Sequence, residues 1–248
     1  MLLDDKRILV TGASRGIGRA IAWACAREGA IVGIGCRKTS EADARTVADE
    51  IAAAGHRPPH VLPFDVVDPL AVSAALDAFV AQEGRVDAVV ANAGANLPDL
   101  LATSEVDRIR TQVDVNMLGP IFLARAAVPH MLRQRAGVLV QIGSCAADHP
   151  SRGQSVYAAT KGALVSLTRA LAVEYGKKGI RAVCVEPGPI ATDMLEATRA
   201  LAEPEVLARV PLGRLGTPED VAELVVFLVS DRARFITGSV HAVDGGFS

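Results

Sequence analysis

Apolar, β-branched runs alternate along this chain with stretches whose apolar residues recur every three to four positions. Arg7 to Thr11 reads as a buried strand, Ile17 to Glu28 as a helix closed by Gly29, and Ala30 to Cys36 as the next strand. That is one complete βαβ unit. The pattern repeats with a helix over Glu41 to Ala54 closed by Gly55, a strand near His60 to Phe64, and a helix that opens at Asp68-Pro69 and stops at Gly84. Asp68 suits an N-cap and Pro69 the first helical position, where its missing N–H costs nothing.

Val86 to Ala91, Gly137 to Ile142 and Ile180 to Val185 read as three more strands. They are separated by helices over about Glu105 to Arg135, broken near Gly119-Pro120, and over Val156 to Tyr175. Thr217-Pro218-Glu219-Asp220 opens a late helix and Ser239 to Val243 makes a final strand. Seven strands joined by helical crossovers imply a doubly wound parallel sheet covered on both faces. No linker, low-complexity tract or short repeat interrupts residues 1–248, so the expectation is one domain. The irregular region at about 188–216 is too short for a second domain and suits a substrate flap. Its apolar residues Met194, Leu195, Leu201, Leu207, Val210 and Leu212 recur at roughly helical spacing, and half or more should pack against the body.

The composition narrows what such a sheet can do. With 50% hydrophobic but only 4% aromatic residues, the core is aliphatic. The balance of 26 basic against 28 acidic residues gives −2, with no electrostatic footprint for nucleic acid. No apolar run approaches the ~20 residues that span a bilayer, and the start lacks a basic signal-peptide region, so a soluble cytoplasmic protein is expected. Cys25, Cys36, Cys145 and Cys184 lack CxxC spacing and read as buried free thiols. The histidines offer no metal-binding spacing. His56 and His60 flank Pro58-Pro59 as two solvated imidazoles of a turn, and no metal is expected.

The chemistry begins in Thr11-Gly12-Ala13-Ser14-Arg15-Gly16-Ile17-Gly18, between the first strand and the first helix. A pyrophosphate needs close backbone approach and free N–H donors at a helix N-terminus, and small glycines in this turn provide both. A carboxylate that would accept the 2′-hydroxyl of NAD is absent from the end of the second strand. Cys36, Arg37 and Lys38 stand there, and Arg15 lies in the loop. Guanidinium groups suit a 2′-phosphate, so NADP(H) is preferred, with NAD(H) possible and Arg37 and Lys38 as a solvated loop the alternative. Tyr157 and Lys161 share one helix face, while Ser144, Asn92 and Gly12 all follow strand ends on one sheet edge. There Tyr157 can exchange a proton with a substrate oxygen, its pKa lowered by the Lys161 ammonium, and Ser144 can hydrogen-bond the same oxygen.

Taken together, Thr11-Gly12-x-x-x-Gly16-x-Gly18, Asp65-Val66, Asn92-Ala93-Gly94, Asn116, Ser144, Tyr157-x-x-x-Lys161, Pro187-Gly188 with Thr192, and Asp244-Gly245-Gly246 resemble the short-chain dehydrogenase/reductase family over essentially the whole chain. The resemblance implies a Rossmann-like domain in which Asn116, Ser144, Tyr157 and Lys161 are catalytic, the Asn116 carbonyl holding a relay water and Lys161 also binding the nicotinamide ribose. It further implies a cofactor bed of Gly12, Ser14, Arg15, Gly16, Ile17, Gly18, Arg37, Asp65, Val66, Asn92, Ala93, Gly94, Tyr157, Lys161, Pro187, Gly188, Ile190 and Thr192, and a homotetramer. The activity implied is hydride transfer between NADP(H) and a small carbonyl or secondary alcohol. Members that reduce β-ketoacyl groups on acyl carrier protein tend to carry arginines at the positions of Pro129 and Val173, which ranks that substrate second. Arg125, Arg133 and Arg169 lie close enough to keep it in view. A non-catalytic NADP-binding regulator is the third reading, disfavoured by the intact catalytic set. Glu186 stands where relatives carry an uncharged residue and faces either the cofactor carboxamide or solvent. Asp148 and His149 read as a solvated loop or a substrate contact.

Overall fold

A computed structural model describes residues 1–192 and 205–248. They contain one sheet of seven strands: β1 (Arg7–Thr11), β2 (Ile31–Cys36), β3 (His60–Pro63), β4 (Ala88–Ala91), β5 (Gly137–Ile142), β6 (Ile180–Pro187) and β7 (Ser239–Val243). The spatial order is β3-β2-β1-β4-β5-β6-β7, and every neighbouring pair is parallel. The chain moves outward from β1 to β3 and then returns to lay β4 on the other side of β1. The crevice outside the carboxyl ends of β1 and β4 is therefore the topological switch point, where such sheets bind ligands.

Two apolar layers follow from strand alternation. Ile8, Val10, Val140 and Val183 face α1 (Gly16–Arg27), α2 (Glu41–Ala53) and α7 (Pro218–Val229). Leu9, Val89, Leu139 and Ala182 face α3 (Pro69–Glu83), α5 (Gly119–Gln134) and α6 (Ser155–Tyr175). Phe79 and Leu76 of α3 are fully enclosed in the second layer, and burial of side chains of this size contributes about 1.5–3 kcal/mol each. The caps behave as their sequences require. Asp68 accepts from the N–H groups of Leu70 and Ala71, Gly84 closes α3 in the left-handed region, and Thr217 with Asp220 forms a capping box on α7.

Four local expectations change. The helix over 105–135 is not broken at Gly119-Pro120: α4 (Val106–Val113) passes into a π turn over Asp114–Leu118 and on into α5, so the irregularity is one widened turn centred on Asn116. Strand β6 runs two residues further than its apolar run, because Glu186 and Pro187 still pair with Ala242 and Val243. The two histidines are not a solvated pair. His60 Nε2 lies 2.6 Å from the Glu83 carboxylate, and His56 stacks edge-on against Trp23. Cys25, Cys36 and Cys184 are buried free thiols, but Cys145 is only half-buried.

Within the expected flap, Met194, Leu195 and Leu201 lie outside the described residues. Of the rest, Val210 is buried, Leu207 half-buried and Leu212 exposed. The Leu212 N–H donates to the Gly245 carbonyl, and Arg209 Nε donates to the Ser248 carbonyl at 2.7 Å. The C-terminal residues thus hold this end of the segment, a contact between distant parts of the chain.

Candidate active site at the sheet edge

The loop from Thr11 to Gly18 joins β1 to α1. Gly12 and Gly16 take positive φ, at 64° and 55°, and α1 has no side-chain cap at Arg15 and no acid in its first turn. Its leading N–H groups are therefore directed toward an anion. Asn92, just beyond β4, fixes the loop from behind: its Nδ2 donates to the carbonyls of Thr11 at 2.9 Å and Gly12 at 3.2 Å. Thr11 Oγ1 in turn accepts from the N–H groups of Asn92 and Ala93, each at 3.1 Å. A Cβ on Gly18 would overlap both the Gly12 carbonyl oxygen and Asn92 Nδ2. This glycine is required by the approach of helix to loop.

The other expected cofactor positions continue along the same edge. Asp65 follows β3 and its carboxylate accepts from the Val67 N–H at 3.2 Å, while the Val66 side chain lies against Gly119. Arg37 follows β2 and is exposed, and Cys36 before it is buried. In spatial order the edge carries Asp65, Arg37, Gly12, Asn92, Ser144, Gly188 and Asp244, one from the end of each strand. Beyond β6 the chain turns back over the loop. Gly188 donates to the Val243 carbonyl, Ile190 is buried and bridges to Gly216, and Thr192 Cγ2 lies 3.7 Å from where a Gly16 Cβ would stand. Gly188 itself is pressed against Asp244, whose Cα would lie 2.6 Å from an added Cβ, so strand packing requires a glycine there.

Asn116, Ser144, Tyr157 and Lys161 converge beside β4 and β5, in the middle of this row. Asn116 is fully buried in the π turn. Its side chain accepts from the Ala95 N–H at 2.7 Å and donates to the Ala95 carbonyl at 2.8 Å and to Thr160 Oγ1 at 3.2 Å. The residue four beyond it is Pro120, which has no N–H to offer the Asn116 carbonyl. Ser144 caps a short turn over Cys145–Ala147, accepting from the Ala146 N–H at 3.2 Å, and its hydroxyl lies near the Tyr157 phenol. Lys161 is 4% exposed, and its Nζ donates to the Ile142 carbonyl at 2.8 Å and lies 5.7 Å from the Tyr157 ring centroid. Gly94 leaves open the space between them: a Cβ there would stand 3.5 Å from Asn116 Oδ1 and 3.6 Å from Lys161 Nζ.

Burial dominates the protonation of this group. It raises the Tyr157 phenol above its ordinary value, against the lowering effect of the nearby Ser144 hydroxyl, and it lowers the Lys161 ammonium to about 8. The expectation that Lys161 depresses Tyr157 is thus not met in this geometry, because the ammonium is tied to the Ile142 carbonyl and desolvation of the phenolate is the larger effect.

A family model described as enoyl-(acyl carrier protein) reductase matches residues 12–248. The 3-oxoacyl-[acyl-carrier-protein] reductase FabG of Salmonella typhimurium is 39% identical, covering 99% of this chain and 98% of that protein. A short-chain dehydrogenase of Burkholderia cenocepacia in complex with NADP superposes with TM-score 0.92 at 36% identity, covering 99% of both chains. A 7α-hydroxysteroid dehydrogenase complexed with NADH and 7-oxo glycochenodeoxycholic acid superposes at 0.94 and 32% identity, covering 99% of this chain and 95% of that one. This chain belongs to the short-chain dehydrogenase/reductase family.

Within this short-chain dehydrogenase/reductase, an oxidoreductase with a Rossmann-like fold, the structure adds residues that the motifs did not single out. Thr160 donates to the Tyr157 main-chain carbonyl at 2.7 Å and receives Asn116, so it ties the π turn to α6. Its place beside Lys161, three beyond Tyr157, is the only trace in the sequence. The Ile142 carbonyl is invisible to any side-chain motif. Glu186 does not face solvent: it is 4% exposed and points to the α6 side of the sheet. Asp148 and His149 are exposed. Among the described residues no helix is long and apolar enough to cross a membrane.

Proposed function

We propose that this chain transfers a hydride between NADP(H) and a small carbonyl compound or secondary alcohol, with Asn116, Ser144, Tyr157 and Lys161 as its catalytic residues. The observation that carries this reading is the buried Lys161 ammonium 5.7 Å from the Tyr157 ring centroid, with the Ser144 hydroxyl near the phenol, on the sheet edge that also bears the glycine loop. The bed fits a dinucleotide. Gly12 and Gly16 open the loop, Gly94 clears the space beside Lys161, and Arg37 stands exposed where a 2′-phosphate would meet a guanidinium. The relative crystallised with NADP supports the preference, and the one crystallised with NADH keeps NAD(H) open. Ser14, Arg15, Ile17, Gly18, Asp65, Val66, Asn92, Ala93, Pro187, Gly188, Ile190 and Thr192 complete the proposed bed.

When bound, the nicotinamide supplies or accepts the hydride. The protein manages the proton. With its pKa raised, Tyr157 keeps its proton at neutral pH and donates it to the carbonyl oxygen as that oxygen becomes negative. Ser144 accepts from Ala146 and has its O–H left to donate, steadying the same oxygen. Lys161 binds the ribose and holds a positive charge behind the phenol, and Asn116 offers its main-chain carbonyl to a relay water. Residues 1–248 form one domain with a flap at about 188–216, working as a cytoplasmic homotetramer, in keeping with the family resemblance.

The test is NADPH oxidation across a panel of ketones, aldehydes and hydroxy acids. Tyr157→Phe should lose about 10²-fold or more, and no turnover by the wild-type protein on any compound would refute the reading. A second reading, reduction of β-ketoacyl groups on acyl carrier protein, is favoured by the Salmonella relative and the matching family model. It is opposed by the exposed, uncharged Pro129 and the 84% exposed Val173. A large kcat/KM preference for a carrier-linked thioester over its small analogue would reverse the ranking.

A further inference from the structure

Glu186 is a carboxyl group inside the molecule, at the penultimate position of β6, and no residue of the proposed mechanism uses it. It shares one face of β6 with Cys184, and both press on Gly143, the residue before Ser144. A Cβ at Gly143 would stand 2.9 Å from Cys184 Sγ and 3.0 Å from Glu186 Cγ. Glu186 Oε1 is fully buried and has no hydrogen-bond partner among the described residues. A buried, ionised carboxylate in that condition is costly, whereas a neutral carboxylic acid is tolerated.

The charges that face it come from each neighbouring element. Asp148, in the turn after Ser144, and Asp244, just past the end of β7, both oppose its ionisation, and among the described residues Arg169 of α6 is the guanidinium that favours it. Burial and these acids push Glu186 up to about 7. Its charge is also felt by two thiols at the site: Cys145, next to Ser144, and Cys184, which in turn faces Lys161.

We propose that Glu186 is a positioning residue of the active site, a neutral carboxylic acid packed behind the Gly143–Ser144 turn, whose ionisation sets a negative charge close to the substrate oxygen and slows carbonyl reduction. This rests on the oxidoreductase reading above. In reduction the substrate oxygen gains negative charge before Tyr157 protonates it, so a nearby carboxylate opposes the step that Ser144 and Tyr157 favour.

Two measurements test it. In wild type, kcat/KM for reduction of an uncharged ketone should fall about tenfold through a step near pH 7, the scale of a unit charge acting across a partly screened site. Glu186→Gln, which keeps the shape and removes the charge, should abolish that step, and Glu186→Ala should also lack it even if less stable. A step near pH 7 that persists in the Gln variant, distinct from the Lys161 titration near 8, overturns the proposal. The second measurement needs no turnover. Cys145 is the half-buried thiol, and ionised Glu186 raises its pKa, so iodoacetamide should label Cys145 at pH 9 faster in Glu186→Gln than in wild type. Half a pKa unit corresponds to roughly threefold. Equal labelling rates overturn the proposal whether or not a substrate is known, while absent turnover with unequal rates refutes only the oxidoreductase reading.

Discussion

The Lys161 ammonium donates to the main-chain carbonyl of Ile142 at 2.8 Å, at the carboxyl end of the strand that leads to Ser144. A charged group has thus been taken out of water with a neutral oxygen as its fixed partner, and burial lowers it from 10.5 to about 8. Below pH 8 both folded and unfolded states hold the proton, and the cost of burying the charge is fully present. Between about 8 and 10.5 the folded state has released a proton that the unfolded state keeps, so stability from this group rises with pH. Denaturant unfolding of wild type and Lys161→Met should show their difference moving toward wild type by about 3 kcal/mol across that window. A constant difference would mean that Lys161 titrates normally.

Asn92 acts at a distance from the reacting atoms. Replacing it by alanine leaves the carbonyls of Thr11 and Gly12 without their side-chain donor, at a cost of about 1–3 kcal/mol. In a chain of this size Tm should fall by roughly 2–4 °C for each kcal/mol. The Kd for NADPH should rise at the same time, since the loop loses its support. Calorimetry and fluorescence titration check the two effects separately.

The proposed NADP preference turns on Arg37. It is exposed at the end of β2, and no carboxylate among the described residues forms an ion pair with it. Arg37→Glu should weaken NADPH by roughly tenfold or more, the loss of charge-assisted contacts to a phosphate. NADH should bind almost unchanged. Equal losses for both cofactors would remove the basis for the NADP preference.

Phe247 packs against Arg209, within the proposed flap. Its ring is buried beneath the Arg209 guanidinium, 4.2 Å from the centroid, beside the Arg209 bond to the Ser248 carbonyl. Phe247→Ala should destabilise the protein by about 3 kcal/mol. If residues 209–212 belong to the proposed substrate flap, KM for the carbonyl substrate should increase more than the Kd for NADPH. An unchanged KM would assign Phe247 to packing alone.

Periodicity alone determined the order of strands and helices, since aliphatic runs and cap residues such as Asp68, Gly84 and Thr217 act within a few positions of themselves. Parallel crossovers then left one sheet edge for the residues that follow the strands, so Gly12, Asn92, Ser144, Tyr157 and Lys161 could be grouped before any coordinates. Tertiary structure decided what depends on burial and on partners distant in the chain. The π turn around Asn116 forms where Ala95 and Thr160 receive its side chain, and the protonation of Tyr157 and Lys161 follows from how much water the packed helix excludes. In sequence Glu186 could face either the cofactor carboxamide or solvent. Only the closure of β6 against Gly143 and α6 places its carboxyl inside, because desolvation is a property of the assembled layers and has no signature in a string of residues.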